Sequence, residues 1–89
     1  MAIYNIIWKN SAKKELKKID KKEILTILNE IEKLSTNPYP QNHKKLTATE
    51  NIFRIRVRSY RVIYRVENSE LIIEIVRVRH RKEVYKNFP

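Results

Sequence analysis

Arginine and lysine are unevenly distributed along this chain of 89 residues. All eight arginines fall between Arg54 and Arg81, and the twelve lysines all lie outside that window. Both side chains carry one positive charge, but the planar guanidinium of arginine forks onto phosphate through two hydrogen bonds and stacks on bases. A segment that uses only arginine for its positive charge is therefore typical of a surface that holds phosphate groups.

The sharpest part of this segment is the alternating run FRIRVR at residues 53–58. Successive side chains of a β-strand point to opposite faces of the sheet. The run predicts a strand with its apolar side chains in a core and the guanidiniums of Arg54, Arg56 and Arg58 side by side on the other face. Three like charges on one face repel one another unless an anion binds between them, so the pattern favours phosphate binding over a solvated face.

The first half of the chain predicts a strand followed by two helices. Residues 3–8 are rich in β-formers, and the apolar residues after Ser11, taken as a helix cap, recur at helical spacing. Asp20 has the position of a second cap, and a longer apolar stripe predicts a helix from about residue 21 to 35. Residues 41–51 are polar and without a clear period, so we expect a loop there.

Three strands are predicted next, at about residues 53–58, 60–67 and 71–80. The last has apolar residues at both odd and even positions, which is typical of a central strand. The order β-α-α-β-β-β predicts an α+β fold, with two N-terminal helices packed on one face of a small, largely antiparallel four-stranded sheet. We expect residues 1–89 to form a single domain.

The composition limits the classes of partner. A net charge of +10 favours a polyanion: nucleic acid, an acidic membrane surface or an acidic protein. The longest strongly apolar run is three residues, so we expect no membrane span. The chain has no cysteine, which excludes disulfides and thiolate metal sites and favours a cytoplasmic location.

The composition also limits the classes of site. Glycine is absent, which excludes a Walker-type phosphate loop, a dinucleotide-binding fingerprint and a nucleophile elbow. Two distant histidines without a carboxylate cluster predict no metal site, and we expect no cofactor. Phosphate binding would have to come from side chains, chiefly arginine.

Four short motifs accompany the predicted order of elements: AxxEL at residues 12–16, NP at 37–38, RVRSYRVIY at 56–64 and HRKEVY at 80–85. Together they make the sequence similar to the RelE/ParE toxin superfamily of toxin–antitoxin systems over essentially the whole chain. The last two motifs are the specific ones, and they resemble the RelE branch more closely. RelE-type toxins are endoribonucleases that cut messenger RNA in the ribosomal A site, whereas ParE-type toxins share the fold and poison DNA gyrase.

The resemblance implies roles for the arginines of the first two strands of the segment. Arg54 and Arg56 match positions that grip the substrate backbone, and Arg58 would extend that basic stripe. Arg61 matches the arginine that faces the scissile phosphate, where it would stabilise the charge of the transition state. The alternative for Arg61 is a structural salt bridge to Glu67 or Glu74.

The resemblance implies further roles near the C-terminus. Tyr85 matches a tyrosine that stacks on the base at the cut site and helps to orient or activate the 2′-hydroxyl. One of Arg79 and Arg81 would stand by the leaving 5′-oxygen, and Arg81 is favoured, with Arg79 then binding RNA. His80 is a candidate general acid or base. The alternative is a structural histidine at the end of a strand. Because side chains alternate along a strand, His80 and Arg81 are expected to point to opposite faces.

The resulting hypothesis is a ribosome-dependent, metal-independent endoribonuclease. The 2′-hydroxyl would attack the adjacent phosphate and leave a 2′,3′-cyclic phosphate and a free 5′-hydroxyl. We expect its partners to be messenger RNA on the ribosome and an acidic antitoxin that wraps the arginine face or displaces a C-terminal segment. The alternatives are a ParE-like gyrase inhibitor and a catalytically inactive homologue; the basic residues at 43–45 are either solvated or a secondary RNA contact.

Overall fold

The computed structural model describes residues 3–46 and 51–80 of the chain. Strand β1 (Asn5–Trp8) comes first, and helix α1 (Asn10–Lys17) follows at once. The Lys9 amide donates to the Ile75 carbonyl, and the Lys9 carbonyl then accepts the first bond of the helix. Ser11 therefore lies inside the first turn, and its predicted role as the cap is wrong.

Helix α2 (Lys21–Lys33) begins directly after Asp20, as the sequence predicts. The Asp20 side chain makes no capping hydrogen bond, so the residue has the cap position without the cap contact. Ile27, Ile31 and Leu34 are buried at helical spacing and form the stripe that α2 turns toward the sheet.

The described strands form one sheet in the order β1-β5-β4-β3-β2. The remaining four strands are β2 (Lys44–Lys45), β3 (Ile52–Val57), β4 (Tyr60–Glu67) and β5 (Ile72–His80). Only the β1–β5 pair is parallel, which confirms the predicted α+β fold with a largely antiparallel sheet. β5 lies between β1 and β4, so its predicted central place is also confirmed.

The sheet has five strands where the sequence predicts four. The extra strand is β2, in which Lys44 and Lys45 pair with Arg54 and Phe53 of β3. Both lysines are exposed, so the segment carries no alternation of apolar and polar residues by which it could be recognised as a strand.

The core lies between the two helices and one face of the sheet. That face presents side chains from β3, β4 and β5 to the helical residues Ala12, Ile27, Ile31 and Leu34; the strand residues of the cluster are Ile55, Val57, Val62, Tyr64, Val66, Ile73, Ile75 and Val78. Both helices cover this face, and Arg54, Arg56 and Arg61 lie on the opposite face of the sheet. Within the described ranges, no helix is long and apolar enough to cross a membrane.

Candidate nucleic-acid interface

Three strands align arginines on the face of the sheet opposite the helices. Arg56 of β3 pairs with Arg61 of β4, and Arg61 pairs in turn with Arg79 of β5. Directly opposed residues of neighbouring strands lie on the same face with their Cβ atoms about 4.5–5.5 Å apart. Arg56, Arg61 and Arg79 therefore form one continuous row, here named the arginine row, about 10 Å wide.

A second row of cations lies beside the arginine row. Lys44 pairs with Arg54, Arg54 with Ile63, and Ile63 with Arg77. Ile63 is fully buried at the centre of this row, with cationic residues on both sides. Arg54 thus lies on the predicted face, and the row adds Lys44 and Arg77, which sequence reasoning did not assign to it.

Arg58 does not continue the predicted stripe. β3 ends at Val57, and Arg58 stands in the tight turn with a left-handed φ of 57°. Its Nη1 donates to Glu23 Oε1 of α2 at 3.2 Å. The turn therefore directs Arg58 toward the helical side, and the prediction of three adjacent arginines holds for Arg54 and Arg56 only.

Among the charged residues that the structure describes, Arg61 is the buried one, with 4% of its surface exposed. The expected alternative for it was a salt bridge to Glu67 or Glu74. Both carboxylates instead pair with Arg65, at 3.5 and 3.2 Å. A guanidinium stays charged when it is buried, and its attraction for an anion is stronger in the lower dielectric of such a position.

A single carboxylate organises the β5 arginines. Glu15 Oε2 accepts from Arg79 Nε and, at 3.4 Å, from Arg77 Nη1. Glu15 Oε1 accepts from the backbone amide of Val78 at 3.0 Å. Arg56, in contrast, is exposed and makes no ion pair with any described residue. At one end of the arginine row, Arg56 is exposed. At the other end, Arg79 is held by Glu15.

His80 lies on the other side of the sheet. It pairs with Tyr60, and the two rings meet edge to face at 5.6 Å. Both line a cavity of about 270 Å³ beside α1, together with Glu15, Lys18 and Arg79. His80 therefore lies on the face opposite Arg61 but shares this cavity with Arg79, the β5 member of the arginine row, whereas Arg81 and Tyr85 lie outside the described residues.

The phase of the β5 arginines could not be read from the sequence because β5 contains a bulge. Ile63 pairs with Arg77 and Tyr64 with Ile75, so Val76 has no partner in β4. The extra residue shifts the alternation, and Ile73, Ile75 and Val78 all reach the same core. β5 therefore has apolar residues at both odd and even positions because the bulge changes which positions face the core.

Chemically, the two rows form a basic surface for a polyanion. The two rows comprise seven residues, and the carboxylate of Glu15 contacts them at the β5 edge through Arg77 and Arg79. Among the described residues no group of three or more histidine, aspartate or glutamate side chains is close enough to hold a metal ion. The side chains placed here suit binding and charge stabilisation of a phosphate by guanidinium groups.

Comparison with known proteins gives one family and several relatives. Residues 6–85 match the profile of a family described as the ParE toxin of the type II toxin–antitoxin system parDE. A Methanocaldococcus jannaschii protein named "Putative toxin RelE1" is 32% identical over 77 residues, which cover 83% of this chain and 86% of that relative. An Escherichia coli protein named "Putative RelE-like toxin protein" is 30% identical over 86 residues, which cover 92% of this chain and 90% of the relative.

A solved structure has the same fold. In the archaeal RelE–RelB complex from Pyrococcus horikoshii OT3, one chain superposes with a TM-score of 0.80 at 26% sequence identity. The match covers 89% of this chain and 96% of that chain. The similarity therefore extends over the sheet and both helices.

Proposed function

This chain belongs to the ParE/RelE toxin family of type II toxin–antitoxin systems, and from that premise we propose that it is a ribosome-dependent endoribonuclease. The observation that carries the proposal is the arginine row. Arg61 is almost fully buried and lies between Arg56 and Arg79 in the pairing of the strands. Such a row favours a phosphate in the transition state, where negative charge increases.

The proposed reaction needs no protein nucleophile. The 2′-hydroxyl of the RNA attacks the adjacent phosphate, the bond to the 5′-oxygen breaks, and a 2′,3′-cyclic phosphate and a 5′-hydroxyl result. Arg61 stabilises the charge on the phosphate, while Arg54 and Arg56 hold the RNA backbone. Arg79 and Arg81 are the two candidates for the arginine beside the leaving oxygen. Arg79 has the support that it belongs to the arginine row.

The ribosome supplies what the protein side chains do not. Holding the RNA so that its 2′-hydroxyl lies in line with the leaving oxygen contributes about 7–11 kcal/mol in well-oriented reactions. Tyr85 is proposed to stack on the base at the cut site, worth about 1–3 kcal/mol. Because the reaction depends on the ribosome, we propose that it takes place in the cytoplasm, on messages that are being translated.

A cognate antitoxin is the second proposed partner. The Pyrococcus horikoshii relative was crystallised as a RelE–RelB complex. The net charge of +10 and the exposed cations of both rows favour an acidic antitoxin, which would compete with RNA for the same face. Binding of the antitoxin is expected to weaken as salt rises.

A ParE-like gyrase inhibitor is the alternative, because the matching family profile carries the ParE description. Primer extension on translated messages and a gyrase supercoiling assay separate the two. We expect A-site cuts and normal supercoiling from the wild type and from Lys33→Ala, a control that removes one charge from a side chain that is 72% exposed. Inhibited supercoiling with uncut messages would contradict the proposal.

A further inference from the structure

Glu15 is the residue of α1 that reaches into the arginine face. Its side chain is only 16% exposed and connects α1 with β5. Both carboxylate oxygens are in use: one accepts from the Val78 amide and the other from the guanidiniums of Arg77 and Arg79. A carboxylate so placed is a fixed negative charge at the end of the arginine row.

The position of Glu15 follows from the length of β1. The parallel pairing of β1 with β5 covers residues from Ile72 to Ile75 only. Beyond that point α1 takes the place of the neighbouring strand, and Glu15 accepts the Val78 N–H that would otherwise lack an acceptor at this edge. The backbone contact fixes the carboxylate, so the position of Glu15 does not depend on its arginine partners.

The contact with Glu15 uses the Nε atom of Arg79, whose side chain is 20% exposed. Arg79 donates to Glu15 through Nε, and no described residue accepts from its Nη1 or Nη2. These two amino groups form an edge of the guanidinium that can bind phosphate oxygens. A free arginine side chain samples many rotamers, and the contact with Glu15 restricts them before a ligand arrives.

We propose that Glu15 is a positioning residue, which holds the Arg79 guanidinium in the arginine row with its Nη edge ready for the phosphate of the substrate. This inference rests on the proposed nuclease function. A carboxylate also lowers the positive potential of the face, so its charge weakens RNA attraction while its geometry favours the reaction. These opposite effects distinguish positioning from a helix–strand contact that serves folding alone.

The test is Glu15→Gln, which keeps the shape and an acceptor for Val78 but loses the charge. The matched control is Glu30→Gln on α2, which makes the same charge change at an exposed ion pair with Lys33. On message-programmed ribosomes we expect Glu15→Gln to lower the single-turnover rate by about 10–100-fold without raising the apparent KM. Glu30→Gln should keep the wild-type rate, and Glu15→Asp should recover part of it.

Two further measurements connect the effect to Arg79. The NMR signal of the Arg79 Nε–H should move in Glu15→Gln and stay in place in Glu30→Gln. In an Arg79→Ala background, Glu15→Gln should cause little further loss of rate. Should Glu15→Gln fail to fold, Glu15→Asp serves for the same comparison, because one missing methylene prevents simultaneous contact with Val78 and Arg79.

The outcomes separate this inference from the proposed function. A wild-type protein that leaves ribosome-bound messages intact would overturn the nuclease function, and the role of Glu15 in it. An active wild type with an equally active, folded Glu15→Gln would overturn the positioning role alone. An undiminished loss in the Arg79→Ala background would likewise show that Glu15 does not act through Arg79.

Discussion

Arg61→Ala is the substitution that separates catalysis from folding most clearly. Arg61 is 4% exposed and lies between two other cations, Arg56 and Arg79. If its guanidinium binds the phosphate through two charge-assisted bonds, their loss in the transition state costs about 3–4 kcal/mol. At 1.36 kcal/mol for each factor of ten, the expected loss of rate is about 10²–10³-fold.

The same substitution should change stability little. Removing the Cγ and Cδ methylenes of the Arg61 stem costs about 1.6 kcal/mol of apolar burial. Two guanidiniums about 7 Å apart repel by about 2–3 kcal/mol at an effective dielectric constant of 20, and Arg61→Ala removes that repulsion. The two terms nearly cancel, so the urea midpoint should remain close to that of the wild type.

The assay is single-turnover cleavage on message-programmed ribosomes, beside urea unfolding of the same preparations. Arg61→Lys should recover part of the rate, because lysine keeps the charge but cannot fork onto two oxygens. The charge-matched Lys33→Ala should behave as the wild type in both assays. A strongly destabilised Arg61→Ala protein whose folded fraction cleaves at the normal rate would refute the reasoning and make Arg61 structural.

Substitutions at three further residues test other parts of the account. Tyr85→Ala should lose most activity, whereas Tyr85→Phe should keep the stacking contribution; equal rates for the two would exclude stacking. His80→Ala should leave the single-turnover pH–rate profile unchanged, since the His80 ring packs against Tyr60 on the face opposite Arg61, and loss of a limb near neutrality would make His80 the acid or base. Burial, with a smaller contribution from Tyr39, raises the pKa of the Tyr64 hydroxyl above its ordinary value of 10.0, and that hydroxyl donates to Pro38 at 2.6 Å. Because the unfolded tyrosine ionises first, wild-type stability in urea unfolding should fall above about pH 10, and Tyr64→Phe should lose that dependence and about 1–3 kcal/mol at pH 7.

The parts of the fold that follow from local periodicity could be predicted. The apolar stripe of α2 and the alternation in β3 determine their own secondary structure, because each pattern repeats within a few residues. The order of elements then restricts the packing to helices on one face of the sheet. The same alternation predicts that Arg54 and Arg56 lie on the face opposite the core.

The parts that depend on distant pairing could not be predicted. β2 forms by pairing of Lys44 with Arg54, ten residues away. Its two residues are both lysines, so no apolar pattern indicates a strand. The bulge at Val76 depends on the register between β4 and β5. Glu15 meets Arg79 across 64 residues, and a glutamate on a short basic helix looks like any solvated side chain in the sequence. Non-local contacts of this kind determine the finer geometry of the site.

The central claim is that the arginine face cleaves RNA through the 2′-hydroxyl while the ribosome holds the message. The most direct measurement is the chemistry of the RNA ends after single-turnover incubation with programmed ribosomes, compared for the wild type and Arg61→Ala. The account predicts a 2′,3′-cyclic phosphate and a 5′-hydroxyl at an A-site cut, formed about 10²–10³-fold more slowly by Arg61→Ala, and poor cleavage of naked RNA. Efficient ribosome-free cleavage that requires a divalent ion, or fragments ending in a 5′-phosphate, would contradict it.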